Sequence, residues 1–187
     1  EITMCVVVYK PKNKKMPKKE TLYSCFVTNP DGAGYMFQKG DKVKIKKGFM
    51  TFLEFYESLM KDYGEVGKKA DFVLHFRIST QGGVNRPLCH PYPMSKVMDK
   101  LKELDCESNL GVAHNGIISL TTEYSYKDWG RSWGINGYYN YGDNYYKEPN
   151  YNDTMKFITD YLSLIMKSEN DVFDEDKVEI VEKLIGS

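Results

Sequence analysis

Hydrophobic and polar positions follow a strand or helix period in enough segments to lay out most of this chain. Met4-Cys5-Val6-Val7-Val8-Tyr9 is a β-branched run that stops at a Lys/Pro-rich stretch over residues 10–19, the pattern of a buried strand. Pro17 suits the first turn of a short helix carrying Leu22, Cys25 and Phe26 on one face. Turn formers crowd Asn29-Pro30-Asp31-Gly32-Ala33-Gly34 and lead into a strand at Tyr35-Met36-Phe37. Gly40-Asp41 then turns into residues 42–47, where Val43 and Ile45 alternate with lysines as in a half-buried hairpin strand. The lysine stripe reads as a solvated face.

Thr51 and Glu54 have capping-box spacing, and Phe52, Phe55, Tyr56, Leu59 and Met60 repeat behind them with helical period. Residues 72–76 predict a further strand, residues 95–104 a helix, and residues 111–120 a strand pair bent at Asn115-Gly116. Residues 152–166 and 174–185 close the chain as two helices with amide or acidic residues at their starts. Strands come early in antiparallel hairpins with helices between and after them, so the expected class is α+β. Tyr124 to Tyr151 breaks the pattern with Trp129, Trp133 and more than half of the 15 tyrosines. A loop of that length in a compact domain is usually functional or disordered.

With 187 residues the chain is expected to form a single domain over 1–187, with 1–4 standing ahead of the first strand. Lys+Arg and Asp+Glu balance at 26 each, which argues against nucleic acid or an anionic membrane surface as partner and for a small-molecule substrate. Mean hydropathy is −0.53 and no apolar run approaches the roughly 18 residues of a membrane span, so a soluble protein is expected. Cys5, Cys25, Cys89 and Cys106 have no CxxC spacing and no leader precedes them, which fits free thiols in a cytoplasmic setting.

Three histidines, His75, His90 and His114, each sit in a strand-to-turn segment, where a hydrogen-bonded structural role is the commoner one. A metal grouping of Cys89, His90, His75 and His114 lacks the paired spacing of zinc ligands, and neither metal nor cofactor is expected. A papain-type pair would need Cys89 and His90 to meet, but neighbours in a strand point to opposite faces.

Taken together and in order, the motifs are more specific than any one of them. Met4-Cys5 opening a strand, Asn29 to Gly34, His75-Phe-Arg-Ile-Ser-Thr80-Gln-Gly82, Cys89-His90-Pro91, Ala113-His-Asn-Gly-Ile-Ile118 and Asn152-Asp153-Thr154 resemble the glutaminase domain of class II glutamine amidotransferases. The resemblance covers almost the whole chain. It implies an N-terminal nucleophile hydrolase, an αββα sandwich of two antiparallel sheets flanked by helices, with the nucleophile opening a central strand. It also implies glutamine amide hydrolysis through a Cys5 thioester, with release of ammonia and glutamate.

Matched residue by residue, the resemblance makes Cys5 the nucleophile, with its own α-amino group as base. An amine of pKa about 7.7–8.0 is partly neutral at physiological pH. Asn115 and Gly116 match the oxyanion hole, beside the plainer reading of Asn-Gly as a hairpin turn. Arg77 matches the clamp on the substrate α-carboxylate, against a surface ion pair as the plain alternative. Asp153 matches the acceptor of the substrate α-amino group and competes with a helix N-cap role. Thr80 is expected to line the same pocket, and Asn29 and Gly32 to shape the wall near the nucleophile.

The chain departs from the family pattern in three places. Glu1-Ile2-Thr3-Met4 would block the Cys5 amine unless removed, as a self-cleaved propeptide, an expression scar or upstream DNA read from a misassigned start. The last is favoured, because GAG-ATH-ACN-ATG would put a purine-rich GAG where a bacterial ribosome-binding site lies. The family's C-terminal strand hairpin has no counterpart before Ser187, which would leave a sheet edge unpaired. No acceptor domain is present either, so ammonia would pass to a synthetase partner in trans. The competing readings are a catalytically silent binding module on the same fold, and a hydrolase of another γ-glutamyl amide.

Overall fold

A computed structural model describes residues 4–79, 83–118, 151–168, 171–172 and 174–185. The predicted early strands form as β1 (Val6–Lys10), β2 (Ala33–Lys39), β3 (Lys42–Phe49) and β4 (Phe72–Phe76), of which β2 and β3 are a hairpin while β1 pairs with the distant β4. With β6 (Asp105–Ser108) they make, among the described residues, a five-stranded antiparallel sheet in the order β1-β4-β2-β3-β6. Among the described residues β1 is outermost in this sheet, and Cys5 is the residue just before it.

Strand register sorts the side chains into two faces, because alternate residues point to opposite sides. Val6 pairs with Phe76 and Val8 with Leu74, while Ala33, Tyr35 and Phe37 lie opposite Phe76, Leu74 and Phe72. That face packs on α1 (Lys19–Thr28) and α2 (Phe52–Val66) through Leu22, Phe26, Phe55 and Leu59. Thr51 accepts from the Glu54 N–H and caps α2 as its spacing predicts, a contact worth about 1 kcal/mol. Inside this core the Tyr35 hydroxyl is 2.6 Å from Ser58 Oγ and 2.7 Å from Asp62 Oδ2, and Lys46 pairs with the same Asp62 carboxylate at 2.9 Å. Burial pushes the Tyr35 phenol far up, so it stays a neutral donor.

The opposite face carries Gly34, Met36, Ile45, Lys47 and His75. Against it lies a small sheet, β5 (Tyr92–Pro93) paired with β7 (Gly111–Val112). A Cβ on Gly111 would stand 2.4 Å from Met36 Sδ, which measures how closely this layer approaches. A second core then joins Leu88, Tyr92, Leu101 and Ile118 to Met155, Phe157, Ile158 and Leu162. The last four belong to a helical stretch made of α4 (Asp153–Phe157), a π-helical turn (Ile158–Leu162) and α5 (Ser163–Ile165). Val178 of α6 (Glu175–Ile185) packs on the same core. The chain is α+β with antiparallel sheets and helices, layered as helices, large sheet, small sheet and helices.

Three sequence expectations are corrected. The helix over 95–104 shrinks to one turn, α3 (Met98–Leu101). Ser95 Oγ accepts from the Val97 N–H and holds Val97 extended, while Leu104 gives its carbonyl to the Lys47 N–H, so backbone groups at both ends are spent outside the helix. The strand pair over 111–120 exists only as the two residues of β7 within its described part, because side chains from elsewhere take up the backbone groups beyond it. The lysine stripe is paired and in part buried: Lys44 bonds Asp105, Lys46 reaches Asp62 at 2.9 Å, and Lys47 is 3% exposed.

Lys47 donates to the Pro87 carbonyl at 2.9 Å and to the Leu101 carbonyl, with its Nζ 3.9 Å from the centre of the Tyr92 ring. Burial pushes its pKa down to about 7. Its free-state value is near 10.4. The unfolded chain therefore binds the extra proton between those two pH values, and this residue's contribution to stability rises as pH climbs through that window. Among the described residues no helix is long and apolar enough to cross a membrane.

Candidate active site

Cys5 is half-buried at the start of β1, and its Sγ lies 3.4 Å from both the Ile78 N and the Ile78 O, just past the end of β4. The β1–β4 ladder makes this meeting obligatory, since Val6 pairs with Phe76 and the two chains run on side by side. Asn115 comes from the far side of the sequence, and its Nδ2 donates to the Cys5 carbonyl at 2.7 Å. Asn115 and Gly116 are exposed, and Gly116 has φ of 132°, a region that favours glycine.

The backbone from His114 to Ile118 is held by side chains rather than by a strand partner. His75 Nε2 lies 3.1 Å from the His114 carbonyl, and the Ile118 N–H donates to Asp153 Oδ2 at 2.8 Å. Gly116 is thus suspended between two anchored residues, which replaces the hairpin reading of Asn-Gly. Asp153 also accepts from its neighbour's backbone N–H, Thr154, at 2.7 Å. The N-cap of α4 is Asn152, whose Oδ1 accepts from the Met155 N–H at 2.9 Å, so the cap role weighed for Asp153 belongs to the residue before it.

Arg77 is 5% exposed, which removes the surface ion pair as its explanation. Its guanidinium donates to the Gly83 carbonyl at 2.8 Å and to Ser79 Oγ at 3.1 Å, and its backbone N–H donates to the Gly32 carbonyl at 2.8 Å. The Ser79 N–H in turn donates to Asp31 Oδ2 at 2.8 Å. The turn at Asp31-Gly32 and the end of β4 therefore form one hydrogen-bonded unit beside Cys5. Gly32 has φ of 118°, and a Cβ there would stand 2.4 Å from Cys89 Sγ. Asn29 turns away, bonding back to the Cys25 carbonyl at 3.2 Å at the end of α1. Thr80 lies outside the described residues, as does the Tyr-rich segment up to residue 150.

The three histidines come together, which their spacing did not announce. His90 Nδ1 is 3.0 Å from His75 Nε2, and the two rings meet edge to face at 4.3 Å. Burial lowers the pKa of His75 to about 4, with the Arg77 charge adding to it, and lowers His90 well below its ordinary value. Burial likewise pushes the Cys89 thiol up. Cys89 and His90 are thus each held in the neutral form, the opposite of the thiolate–imidazolium pair a papain-type mechanism uses. Among the described residues no group of three His, Cys, Asp or Glu side chains is arranged to hold a metal.

Cys5, Asn115, Gly116, Arg77 and Asp153 are linked by short chains of contacts through Ile78 and Ile118. The residues that sequence reasoning missed are those links: Ile78, which meets the thiol with its backbone, and Ser79 and Asp31, which brace Arg77. Only Asp31 carried a signal, as an Asx residue in a dense turn. Comparison of the chain with family models, curated proteins and solved structures finds no match in any of the three.

Proposed function

We propose that this protein hydrolyses the side-chain amide of glutamine, or of a closely related γ-glutamyl compound, with Cys5 as nucleophile. The observation that carries the reading is the 2.7 Å bond from Asn115 Nδ2 to the Cys5 carbonyl. It joins the backbone of Cys5 to an amide donor 110 residues away. An Asn amide has two N–H groups, so one can fix the side chain on Cys5 while the other faces an oxyanion.

On this reading the Cys5 thiol passes its proton to the free α-amine as Sγ attacks the amide carbon, and the electron pair of the C=O moves to oxygen between Asn115 Nδ2 and the Gly116 N–H. Collapse expels ammonia, which takes its proton from the Cys5 α-ammonium, and water then cleaves the thioester to give glutamate. Arg77 receives the substrate α-carboxylate and Asp153 its α-amino group. Both Asp153 oxygens already accept backbone N–H groups, from Ile118 and Thr154, which fixes the carboxylate in place. The layered arrangement is taken here as an N-terminal nucleophile αββα sandwich. Ammonia would pass to an acceptor held by a separate synthetase.

The chemistry requires a free Cys5 amine, so the residues ahead of it must be removed. Protein from its native host, treated with an electrophilic glutamine analogue, is expected to carry one adduct on Cys5 and to begin at Cys5 by mass spectrometry. Retention of Glu1 to Met4 with no adduct would instead support a silent binding module, and an adduct outcompeted by other γ-glutamyl amides but not by glutamine would change the substrate.

Arg77→Lys is expected to raise the KM for glutamine about tenfold or more with a smaller change in kcat, since an ammonium loses the two-point hold worth about 1.5–3 kcal/mol. Steady-state kinetics on the folded variant decides it. An unchanged KM would remove Arg77 from the substrate site.

A further inference from the structure

We propose that His75, locked in place by His90, is the positioning residue that sets the oxyanion hole at Asn115 and Gly116; the inference deepens the glutaminase reading and rests on it. His75 is fully buried on β4, on the face turned away from the aromatic core. Its strand neighbour there is Gly34, where a side chain would collide with the His90 carbonyl at 2.2 Å. The missing side chain admits the His90 backbone to the sheet, and the His90 ring then packs between His75 and Tyr92, with centroids 4.3 and 4.7 Å away.

A carbonyl oxygen only accepts, so the 3.1 Å contact with His114 assigns the proton to His75 Nε2, with His90 Nδ1 at 3.0 Å as a second acceptor for it. His75 Nδ1 is left as a buried acceptor with no partner among the described residues. A buried polar atom without a partner is costly, and its retention is consistent with a ring held for what its other nitrogen does. That nitrogen grips the residue immediately before Asn115. Asn115 reaches Cys5, and Ile118 is tied to Asp153, so His75 fixes the one stretch of backbone on which the proposed oxyanion donors ride. His75 touches neither the thiol nor the substrate position in this arrangement; it acts through the His114 carbonyl.

The test compares His75→Leu, which removes the donor, with His75→Gln, whose amide can place an N–H near the old Nε2. Both are first checked for a native circular dichroism spectrum; should His75→Leu not fold, His75→Asn, whose amide falls short of His114, replaces it. In the loss variant kcat for glutamine is expected to fall about tenfold to a hundredfold with KM within twofold, as a small displacement of transition-state donors should give. The alkylation rate of Cys5 by iodoacetamide should stay within about threefold of wild type, and His75→Gln should recover most of kcat. Hydrogen exchange supplies an arm that needs no activity: the Ile118 amide, which donates to Asp153 at the end of this stretch, should exchange roughly tenfold faster in the loss variant while the β4 amides of Leu74 and Phe76 stay protected.

Unchanged kcat and unchanged exchange in a folded loss variant would overturn the proposal, as would a loss of kcat that His75→Gln does not restore. If wild-type protein bearing a free Cys5 amine does not hydrolyse glutamine, the functional reading falls, while the exchange arm still decides whether His75 holds the stretch from His114 to Ile118.

Discussion

Cys5→Ala is expected to lower glutamine hydrolysis by roughly a thousandfold or more while leaving the protein folded, because no other group in the site can form the thioester. The stability effect should be small. Cys5 is half-buried, its sulfur lies 3.4 Å from the Ile78 N and O, and the β1 ladder begins one residue later at Val6. Turnover is measured as glutamate release and stability by thermal melting, with a Tm shift of about 2 °C or less expected. Activity within tenfold of wild type would end the Cys5 mechanism outright.

Gly34→Ala should be strongly destabilising. A Cβ there would lie 2.2 Å from the His90 carbonyl oxygen, 2.7 Å from Lys47 Cβ and 2.9 Å from the Lys46 carbonyl oxygen. Two of the three obstacles are backbone and the third is the stem of a buried lysine, so no rotamer change relieves them. Loss of about 3 kcal/mol or more in denaturant unfolding is expected, at or beyond the upper end of overpacking costs. Gly40→Ala is the control: nothing lies within 4 Å of its Cβ, and its φ of 64° should cost about 1 kcal/mol. Equal effects at the two positions would mean that His90 does not pack on the sheet as described.

The same glycine shows what the sequence could and could not disclose. As part of Asn29 to Gly34 it was legible as turn chemistry, but its partner His90 is a long-range neighbour that no local period encodes. β1 to β4, α1 and α2 were legible because each has its own apolar run, alternation or helical repeat, and Thr51 marked the start of α2, although β1 is buried on one face only and leaves Val7 and Tyr9 exposed. Strand β6 was not, since Asp105-Cys106-Glu107-Ser108 has no apolar alternation. Its residues are strand because Lys44 and Lys46 stand opposite Glu107 and Asp105. The stretch around Asn115 was misread as a hairpin because its backbone partners are side chains 35 and 39 residues away. The candidate site residues were named from a motif resemblance, while their meeting depends on contacts spanning 73 and 110 positions that spacing alone does not fix.

Among the described residues β1 lies at the sheet margin, which bears on how the proposed nucleophile could be freed. Its pairing starts with Val6 opposite Phe76, so the Met4–Cys5 peptide bond lies outside the ladder, and Met4 is 56% exposed. Cutting that bond breaks none of the paired strand contacts, and the contacts to Ile78 and Asn115 hold Cys5 where it already stands. On the proposed reading, with Glu1 to Met4 present in the translated chain, trimming can follow folding, and the freed amine would stand beside its own thiol.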